Sequence, residues 1–179
     1  MILADVSLID LVFHHDPPLL APSSPDHVNP GSVDIRIGTS MLVEQESSAA
    51  SKGPAPFDTI SLSHYTEANP YYLDPGAFAL VATMEKICVP NGYALELRLK
   101  SSTARRGFDH TMAFWFDPGW QGIGTMEIQN ILRYHSLPLW PGMRFAQVIV
   151  HRLDKDARWP YGVKPAHYQG ATGVEGAKT

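Results

Sequence analysis

Short runs of alternating apolar and polar residues recur along the chain and predict β-strands. The run VDIRI at residues 33–37 is the strictest, and its apolar residues should face the interior while Asp34 and Arg36 face solvent. Comparable patterns predict further strands at residues 77–83, 94–99, 123–129 and 145–152, with a weaker one near 59–62. Strand periodicity therefore covers much of the chain.

Two short segments have the pattern of helices instead. Near the N-terminus, Leu8, Leu11 and Val12 share one helical face within residues 7–13, with Ser7 in the N-cap position. The segment SSTARRG opens with serines, which favour helix starts, and ends at a glycine, residue 107, which favours a helix stop. We expect one or two helical turns there, between two strands.

Turn residues set the spacing between these elements. Fifteen prolines and fourteen glycines are spread over 179 residues, which is typical of an all-β barrel or sandwich rather than of a helical bundle. Residues 44–69, rich in Ser, Ala, Gly and Pro, should form a long loop inside one domain spanning residues 1–179. The glycine-rich residues 170–179 are expected to be a flexible tail or a lid over a ligand.

Composition excludes several classes of function. The net charge of −4 provides no general attraction to nucleic acid. The apolar N-terminal stretch contains Asp5 and Asp10 and lacks a basic leader, so it does not resemble a secretion signal. No run approaches the roughly 20 apolar residues of a membrane helix. The single cysteine, Cys88, lies in an apolar stretch and should be a buried thiol. We therefore expect a cytoplasmic protein without nucleic-acid or membrane partners.

The segment KSSTAR, at residues 100–105, is a candidate anion site. Serines that open a short helix offer hydroxyl and backbone N–H donors where the helix dipole is positive. Arg105, one turn later, could add a bidentate contact to a phosphate or a carboxylate. A capped surface helix with a solvated arginine explains the same residues, and the local sequence does not choose between these interpretations.

A second candidate begins at the turn DPGWQG, residues 117–122. Asp117 could cap that turn or accept a hydrogen bond from a ligand hydroxyl. In the strand that follows, Met126 faces one side while Thr125 and Glu127 face the other. If the second face lines a cleft, partial burial would raise the pKa of Glu127 toward a value useful for a general base. If that face meets solvent, Glu127 is an ordinary carboxylate.

Gln147 is a polar exception in the predicted strand MRFAQVIV. It should share a face with Met143, Phe145 and Ile149. An amide on an apolar face must find hydrogen-bond partners, either in the core or in a ligand. Gln147 is therefore a further candidate binding residue.

The sequence is a poor match to a resident metal site. Its eight histidines are scattered, and none has the spacing of a closed zinc site. Zinc-dependent nucleobase deaminases need an H-x-E and a P-C-x-x-C motif, which a chain with one cysteine cannot supply. Any deamination by this chain must therefore activate water without zinc.

Seven ordered blocks, spread over nearly the whole chain, resemble the dCTP deaminase family of the trimeric dUTPase superfamily. They are MILADVSLI, NPGSVDIRIG, YLDPGAFALVATMEKICVP, LKSSTARRGF, FDPGWQGIGTMEIQN, LPLWPGMRFAQVIV and the closing PY…HYQGATG. The resemblance implies a distorted jelly-roll β-barrel with a few short helices, and a homotrimer with sites at subunit interfaces. It also implies hydrolysis of a cyclic amidine C–N bond, with Mg²⁺ bound through the triphosphate, no zinc, and inhibition by dTTP.

The resemblance further implies roles for individual residues. Glu127 matches the family's general base, which deprotonates the water that attacks C4 of cytosine, and Ser101 and Arg105 match residues that position that water and the base. Lys100 and Ser102 fall at phosphate-binding positions. The remaining substrate-binding matches are Ala113 (a main-chain contact to the pyrimidine), Asp117 (the deoxyribose 3′-hydroxyl) and Tyr161 (the sugar). Thr125, Met126 and Gln147 are further candidate substrate-binding residues.

At three substrate-binding positions the chain departs from the family pattern. Trp115 stands where the family commonly has arginine, His167 where it favours lysine, and Ala171 where it has the glutamine of the lid. Lys164, three residues before His167, is a candidate substitute for the lysine. These departures should alter contacts to the triphosphate and the base, while the three catalytic positions are retained.

Three functions are compatible with these residues. The first is zinc-independent deamination of dCTP, or of a related deoxycytidine nucleotide, to dUTP and ammonia. The second is a dUTP pyrophosphatase or a bifunctional deaminase–pyrophosphatase, in which Asp117 helps to position the attacking water. A pure pyrophosphatase is disfavoured, because dUTPases lack the strand glutamate and have a different tail. The third is a non-catalytic nucleotide-binding relative.

Overall fold

Antiparallel strands form most of the computed structural model, which describes residues 1–45, 56–110, 113 and 115–178. Within these residues the strands are β1 (Leu20–Ala21), β2 (Val28–Asn29), β3 (Ser32–Glu44), β4 (Phe57–Ser61), β5 (Tyr71–Leu73), β6 (Phe78–Cys88), β7 (Tyr93–Leu99), β8 (Phe108–His110), β9 (Trp115–Phe116), β10 (Gln121–Asn130), β11 (Leu137–Leu139) and β12 (Arg144–Arg152). The helical segments are α1 (Asp5–Ile9), a π-helical turn (Asp10–His14), a 3₁₀ turn (Pro25–His27) and α2 (Ser101–Arg105). The predicted all-β class is confirmed.

One curled sheet contains most of these strands. Its order is β8-β10-β6-β3-β12-β7-β9, with β1 paired to β6 and with β2 and β4 paired to β3. The first half of β3 pairs with β12 and its second half with β6 and β4. A strand that changes partners along its length turns the sheet back on itself. The strand β5 pairs separately with β11.

The apolar side chains of the long strands fill the interior of this curled sheet. Val33, Ile35 and Ile37 are fully buried, as their alternation predicts. Phe108 and Phe145 meet edge to face, with ring centroids 5.1 Å apart, and so join β8 to β12. The buried apolar residues form one cluster.

Asp34 contradicts the prediction that it faces solvent, because only 1% of its surface is exposed. The first half of β3 is buried on both faces. The Asp34 carboxylate accepts hydrogen bonds from Asn29, at 2.8 Å, and from the ammonium of Lys100, and Arg144 lies 3.8 Å away. A buried carboxylate is tolerated here because it is paired and hydrogen-bonded.

The short helices form where the sequence predicts them, but the predicted start and cap of the first helix differ from those in the structure. Leu8 and Leu11 are buried as predicted, but α1 starts earlier and continues as a π-helical turn. Ala4 holds the N-cap position, so the expected cap at Ser7 is wrong. The helix α2 forms where the serines predict it, and Gly107 follows it with φ +105°.

The predicted strands all form, and each extends beyond its predicted bounds at one end or both; the weaker prediction near residues 59–62 corresponds to β4, Phe57–Ser61. The expected long loop at residues 44–69 therefore contains a strand, and its residues 46–55, like Thr179, lie outside the described residues. Cys88 is a buried free thiol, as predicted. In the described part of the chain no helix has the length and apolarity needed to cross a membrane.

Candidate active site

A cavity of about 480 Å³ opens beside the strand β10. Its size is that of a small-molecule site, for which roughly 300–1,000 Å³ is usual. The polar residues that line it are Asp117, Thr125, Glu127 and Glu175. The other lining residues are largely aromatic or small: Phe57, Phe78, Leu80, Ala113, Trp115, Phe116, Trp120, Ile123, Tyr161, Tyr168, Ala171, Gly176 and Ala177.

The alternation along β10 places Glu127 in this cavity. Met126 and Ile128 point into the core, with 2% and 0% of their surface exposed, so Thr125 and Glu127 point the other way. Glu127 pairs across the sheet with Leu80 of β6, and β8 borders the other side of β10. The carboxylate therefore stands on an internal strand that faces a cleft, which settles the alternative left open by the sequence.

Burial raises the pKa of the Glu127 carboxyl above its ordinary value, and a backbone hydrogen bond opposes that rise in part. The cause is the loss of water around the charged form in an aromatic cavity. A carboxylate with a raised pKa is a stronger base than an exposed one. Glu127 has the environment expected of a general base.

The turn at residues 117–120 places Asp117 at the rim of the cavity. The Trp120 N–H donates to the Asp117 carbonyl at 3.1 Å, and the Tyr161 N–H donates to the Pro118 carbonyl at 2.7 Å. Gly119 has φ +85°, and a Cβ there would lie 2.7 Å from Pro160. A glycine is required for this close contact, which brings Tyr161 next to the exposed Asp117.

The C-terminal tail crosses β10 and covers one side of the cavity. The Ile123 N–H donates to the Ala171 carbonyl at 2.7 Å, and the Gly170 N–H donates to the Gln121 carbonyl at 2.8 Å. Gly122 has φ +154°, and a Cβ there would lie 2.9 Å from the Ala171 nitrogen. Ala171 is thus a lining residue in the structure, while the flexibility expected for residues 170–179 stays a prediction.

The predicted phosphate- and water-positioning residues lie elsewhere in this chain. Ser101, Ser102 and Arg105 are exposed on α2, and none of them lines the cavity. The buried residue of that helix is Thr103. A single chain therefore does not bring the three predicted catalytic residues together.

Three further predicted binding residues have structural partners instead. Lys100 bonds to the buried Asp34. Met126 is in the core, because it faces away from the cavity, so its side chain cannot contact a ligand there. Gln147 accepts a hydrogen bond from Ser32 at 2.7 Å.

The face predicted for Gln147 is right for Ile149 and wrong for Phe145, which is buried. The residues Ala146, Val148 and Val150 face the core, while Gln147 and Ile149 are half-buried. A shift of register between Arg144 and Ala146 produces this change, since one extra residue reverses which positions face inward. Strand periodicity alone cannot reveal a bulge.

The three positions that depart from the family pattern have different surroundings. Trp115 lines the cavity with 53% of its surface exposed, and its ring centroid lies 5.6 Å from that of His151. His167 is exposed and lines no part of the cavity. Lys164 lines a neighbouring cavity of about 340 Å³ behind Asp117 and Tyr161, where its ammonium lies 4.8 Å from the Trp159 ring centroid.

Several residues that line the cavity were not predicted from the sequence. Trp120 belongs to the DPGW turn, but its contribution to the wall depends on how that turn packs. Phe57 and Phe78 come from β4 and β6, which are brought to β10 by long-range pairing. Glu175 had one available signal, because it is the single acidic residue of the tail.

The family model described as dCTP deaminase-like matches residues 2–153. Two bacterial proteins named "dCTP deaminase, dUMP-forming" are also similar to the chain. The one from Mycolicibacterium gilvum is 34% identical over 165 residues, which cover 89% of this chain and 86% of the relative. The one from Acidothermus cellulolyticus is 34% identical over 158 residues, which cover 85% and 82%.

A solved structure supports the same fold. The 2′-deoxycytidine 5′-triphosphate deaminase from Agrobacterium tumefaciens superposes with a TM-score of 0.65 and 24% identity, over 84% of this chain and 47% of that chain. The present chain thus spans about half the length of the Agrobacterium protein. At this identity the similarity concerns the fold alone, and it agrees with the predicted β-rich fold and with the curled antiparallel sheet described above.

Proposed function

The chain belongs to the dCTP deaminase-like family, and we propose that it converts dCTP to dUMP by two hydrolyses. One water replaces the amino group at C4 of cytosine and releases ammonia; the other attacks the α-phosphorus and releases pyrophosphate. The sequence led us to expect dUTP as the product. We propose dUMP instead, because the relatives that match most of the chain are named dUMP-forming. The bifunctional alternative is therefore favoured.

The observation that carries the proposal is Glu127, half-buried on an internal strand at an aromatic cavity. As general base it would take a proton from water, so that the resulting hydroxide attacks C4. A positioned general base contributes typically about 10²–10⁴-fold to the rate. Rigid support matters for this role, and two strands flank β10.

The other cavity residues suit the remaining parts of a deoxycytidine nucleotide. The rings of Trp115 and Phe116 offer apolar faces against which a pyrimidine can pack. We assign the main chain of Ala113 to a contact with the pyrimidine, and Tyr161 to a contact with the sugar. Asp117 is exposed at the rim of the cavity. Its carboxylate would accept a hydrogen bond from the deoxyribose 3′-hydroxyl and help to orient the water of the second hydrolysis.

A homotrimer would supply the groups that the single chain leaves outside the cavity. Ser101, Ser102 and Arg105 are exposed on α2 and thus available to a neighbouring subunit. In this proposal, α2 of one subunit reaches the cavity of the next, where Arg105 and Ser101 position the water and the base.

Magnesium would enter together with the triphosphate. Among the described residues, no three His, Cys, Asp or Glu side chains are grouped so that they could hold a metal ion. Phosphate oxygens are suitable ligands for Mg²⁺, so we propose that the substrate carries the ion. Inhibition by dTTP follows from the same model, because dTTP shares the deoxyribose and the triphosphate with the substrate.

The test is to incubate purified protein with dCTP, dUTP and dCMP, each with Mg²⁺, and to measure ammonia, pyrophosphate and nucleotide products separately. We expect dCTP to yield ammonia, pyrophosphate and dUMP in equal amounts. Glu127→Gln should lose at least about 10²-fold in ammonia release, since glutamine cannot accept the proton. Glu67→Gln, an exposed surface variant, is the matched control.

Each component of the proposal can fail separately. Accumulation of dUTP without pyrophosphate would show that the protein only deaminates dCTP. Pyrophosphate from dUTP, with no ammonia from dCTP, would identify a pyrophosphatase. Nucleotide binding without any product would identify a non-catalytic relative, and unchanged ammonia release by Glu127→Gln would exclude Glu127 as the base.

A further inference from the structure

The cavity proposed to receive a nucleoside triphosphate is lined by negative charge. Its charged lining residues are Asp117, Glu127 and Glu175, and none of the described residues that line it is a lysine or an arginine. A nucleoside triphosphate carries several negative charges and needs cationic partners nearby. Lys178 is the single lysine of the tail at residues 170–179, which contains no arginine.

Glu175 is the tail residue whose charge is held against the cavity. Its backbone N–H donates to Thr125 Oγ1 at 3.1 Å, two residues from Glu127 on the same face of β10. The side chain is 26% exposed, and Lys178 Nζ lies 2.6 Å from Glu175 Oε2. That oxygen is shielded from solvent, and the contact is an ion pair rather than a directed hydrogen bond.

Lys178 is held at the rim by contacts with the segment that precedes the tail. Its Nζ donates to the His167 carbonyl at 2.8 Å, and its backbone N–H donates to Tyr168 Oη at 3.1 Å. The ammonium also lies 5.3 Å from the Tyr168 ring centroid. The side chain is 42% exposed, so an incoming phosphate can reach it while Tyr168 and Ala177 remain part of the wall.

Building on the proposed function, we infer that Lys178 binds the triphosphate and that Glu175 is an internal carboxylate that occupies Lys178 until the nucleotide replaces it. A phosphate oxygen can make the same ionic contact with the Lys178 ammonium as the Glu175 carboxylate does, and a triphosphate carries more negative charge than one carboxylate. The carbonyl of His167, eleven residues earlier in the chain, holds the ammonium in place at the rim. When the nucleotide replaces Glu175, the ion pair between Glu175 and Lys178 is lost. The loss of that ion pair reduces the net affinity for dCTP.

The test compares the binding of dCTP and of deoxycytidine, by calorimetry without added Mg²⁺, in a set of variants of the full chain that all carry Glu127→Gln so that deamination adds no heat. Lys178→Met should weaken dCTP binding about fivefold and leave deoxycytidine binding unchanged, because the nucleoside lacks phosphates. Glu175→Gln should tighten dCTP binding by removing the competitor. In the double variant, Glu175→Gln should have no further effect, since the ammonium for which it competes is gone. The exposed Lys155→Met and Glu67→Gln are matched controls.

Three results would overturn the inference. Unchanged dCTP affinity in Lys178→Met would remove its role in phosphate binding. Equal tightening by Glu175→Gln with and without Lys178 would show direct repulsion of the substrate instead of exchange. Loss of pyrophosphate release in Glu175→Gln, with ammonia release intact, would make Glu175 a catalytic group. A wild-type protein that neither binds nor consumes dCTP would contradict the proposed function itself, and the inference with it.

Discussion

At the scale of single residues, two carboxylates illustrate how the same chemical group takes different roles. Asp34 is almost completely enclosed and is neutralised by Lys100, with Asn29 as a further donor. Glu127 is half-buried against aromatic rings. A paired carboxylate stabilises a particular packing, whereas a partly desolvated one retains basicity that a reaction can use.

The pH dependence of deamination should reveal the raised pKa of Glu127. The base acts in its ionised form, so kcat/KM should fall as the pH drops through that pKa, and the midpoint of this limb should lie above the ordinary value of 4.5. The measurement is kcat/KM for dCTP across the acid range, with circular dichroism to show that the protein stays folded. A midpoint at or below 4.5 in folded protein would contradict this environment for Glu127.

Replacing Lys100 separates its structural contact from the phosphate role implied by the family resemblance. Lys100→Met would leave the buried Asp34 without its ammonium partner, so we expect a loss of about 2 kcal/mol in the free energy of unfolding. Urea denaturation measures this loss, with the exposed Lys155→Met as the control. Unchanged stability together with weaker dCTP binding would instead favour a phosphate ligand.

At the scale of elements, the decisive contact is the tail lying along β10. The strand supplies Glu127 to the cavity, and the tail supplies Ala171 and Glu175 to the opposite wall. The two segments meet through a backbone hydrogen bond between Ile123 and Ala171. Closure of the cavity therefore depends on how closely two stretches of backbone can approach.

Gly122→Ala should detach the tail from β10. The new Cβ would clash with the Ala171 backbone, and the φ of +154° is itself unfavourable for alanine. We expect faster hydrogen exchange at the Ile123 amide, which donates to Ala171, and a KM for dCTP raised several-fold. Gly31→Ala is the control, because nothing lies within 4 Å of its added Cβ. Unchanged exchange at Ile123 would show that the tail tolerates the added methyl group.

At the scale of the whole molecule, one chain provides a cavity with the candidate base but without the residues of α2. Ser101 and Arg105 are exposed on that helix, outside the cavity. In the proposed trimer, α2 of each subunit would complete the cavity of the next subunit. In a closed cyclic assembly the same contact repeats around the ring, so that every cavity receives one α2.

Mixing two inactive variants tests this assembly. Subunits with Glu127→Gln and subunits with Arg105→Met should regain activity when they are unfolded together and refolded as mixed oligomers. If each site takes Glu127 from one chain and Arg105 from its neighbour, equal mixing should restore about a quarter of wild-type activity. Each variant refolded alone is the control. No recovery in verified mixed oligomers would place both residues in the same chain's site.

Some features of this protein follow from the sequence alone, because they depend on near neighbours along the chain. The alternation in β10 separated Glu127 from Met126, and the serines and Gly107 marked the ends of α2. Ordered motifs also identified the family and its fold. These signals are local, since side-chain direction in a strand and helix termination depend on a few adjacent residues.

Other features were decided only by the tertiary structure. The burial of Asp34 depends on coverage of both faces of β3, and the orientation of Gln147 depends on a bulge in the pairing of β12 with β3. The position of Glu175 depends on a tail that meets β10 about 50 residues away in sequence. A cavity joins segments that are distant along the chain, and their contacts depend on packing, which local periodicity does not encode.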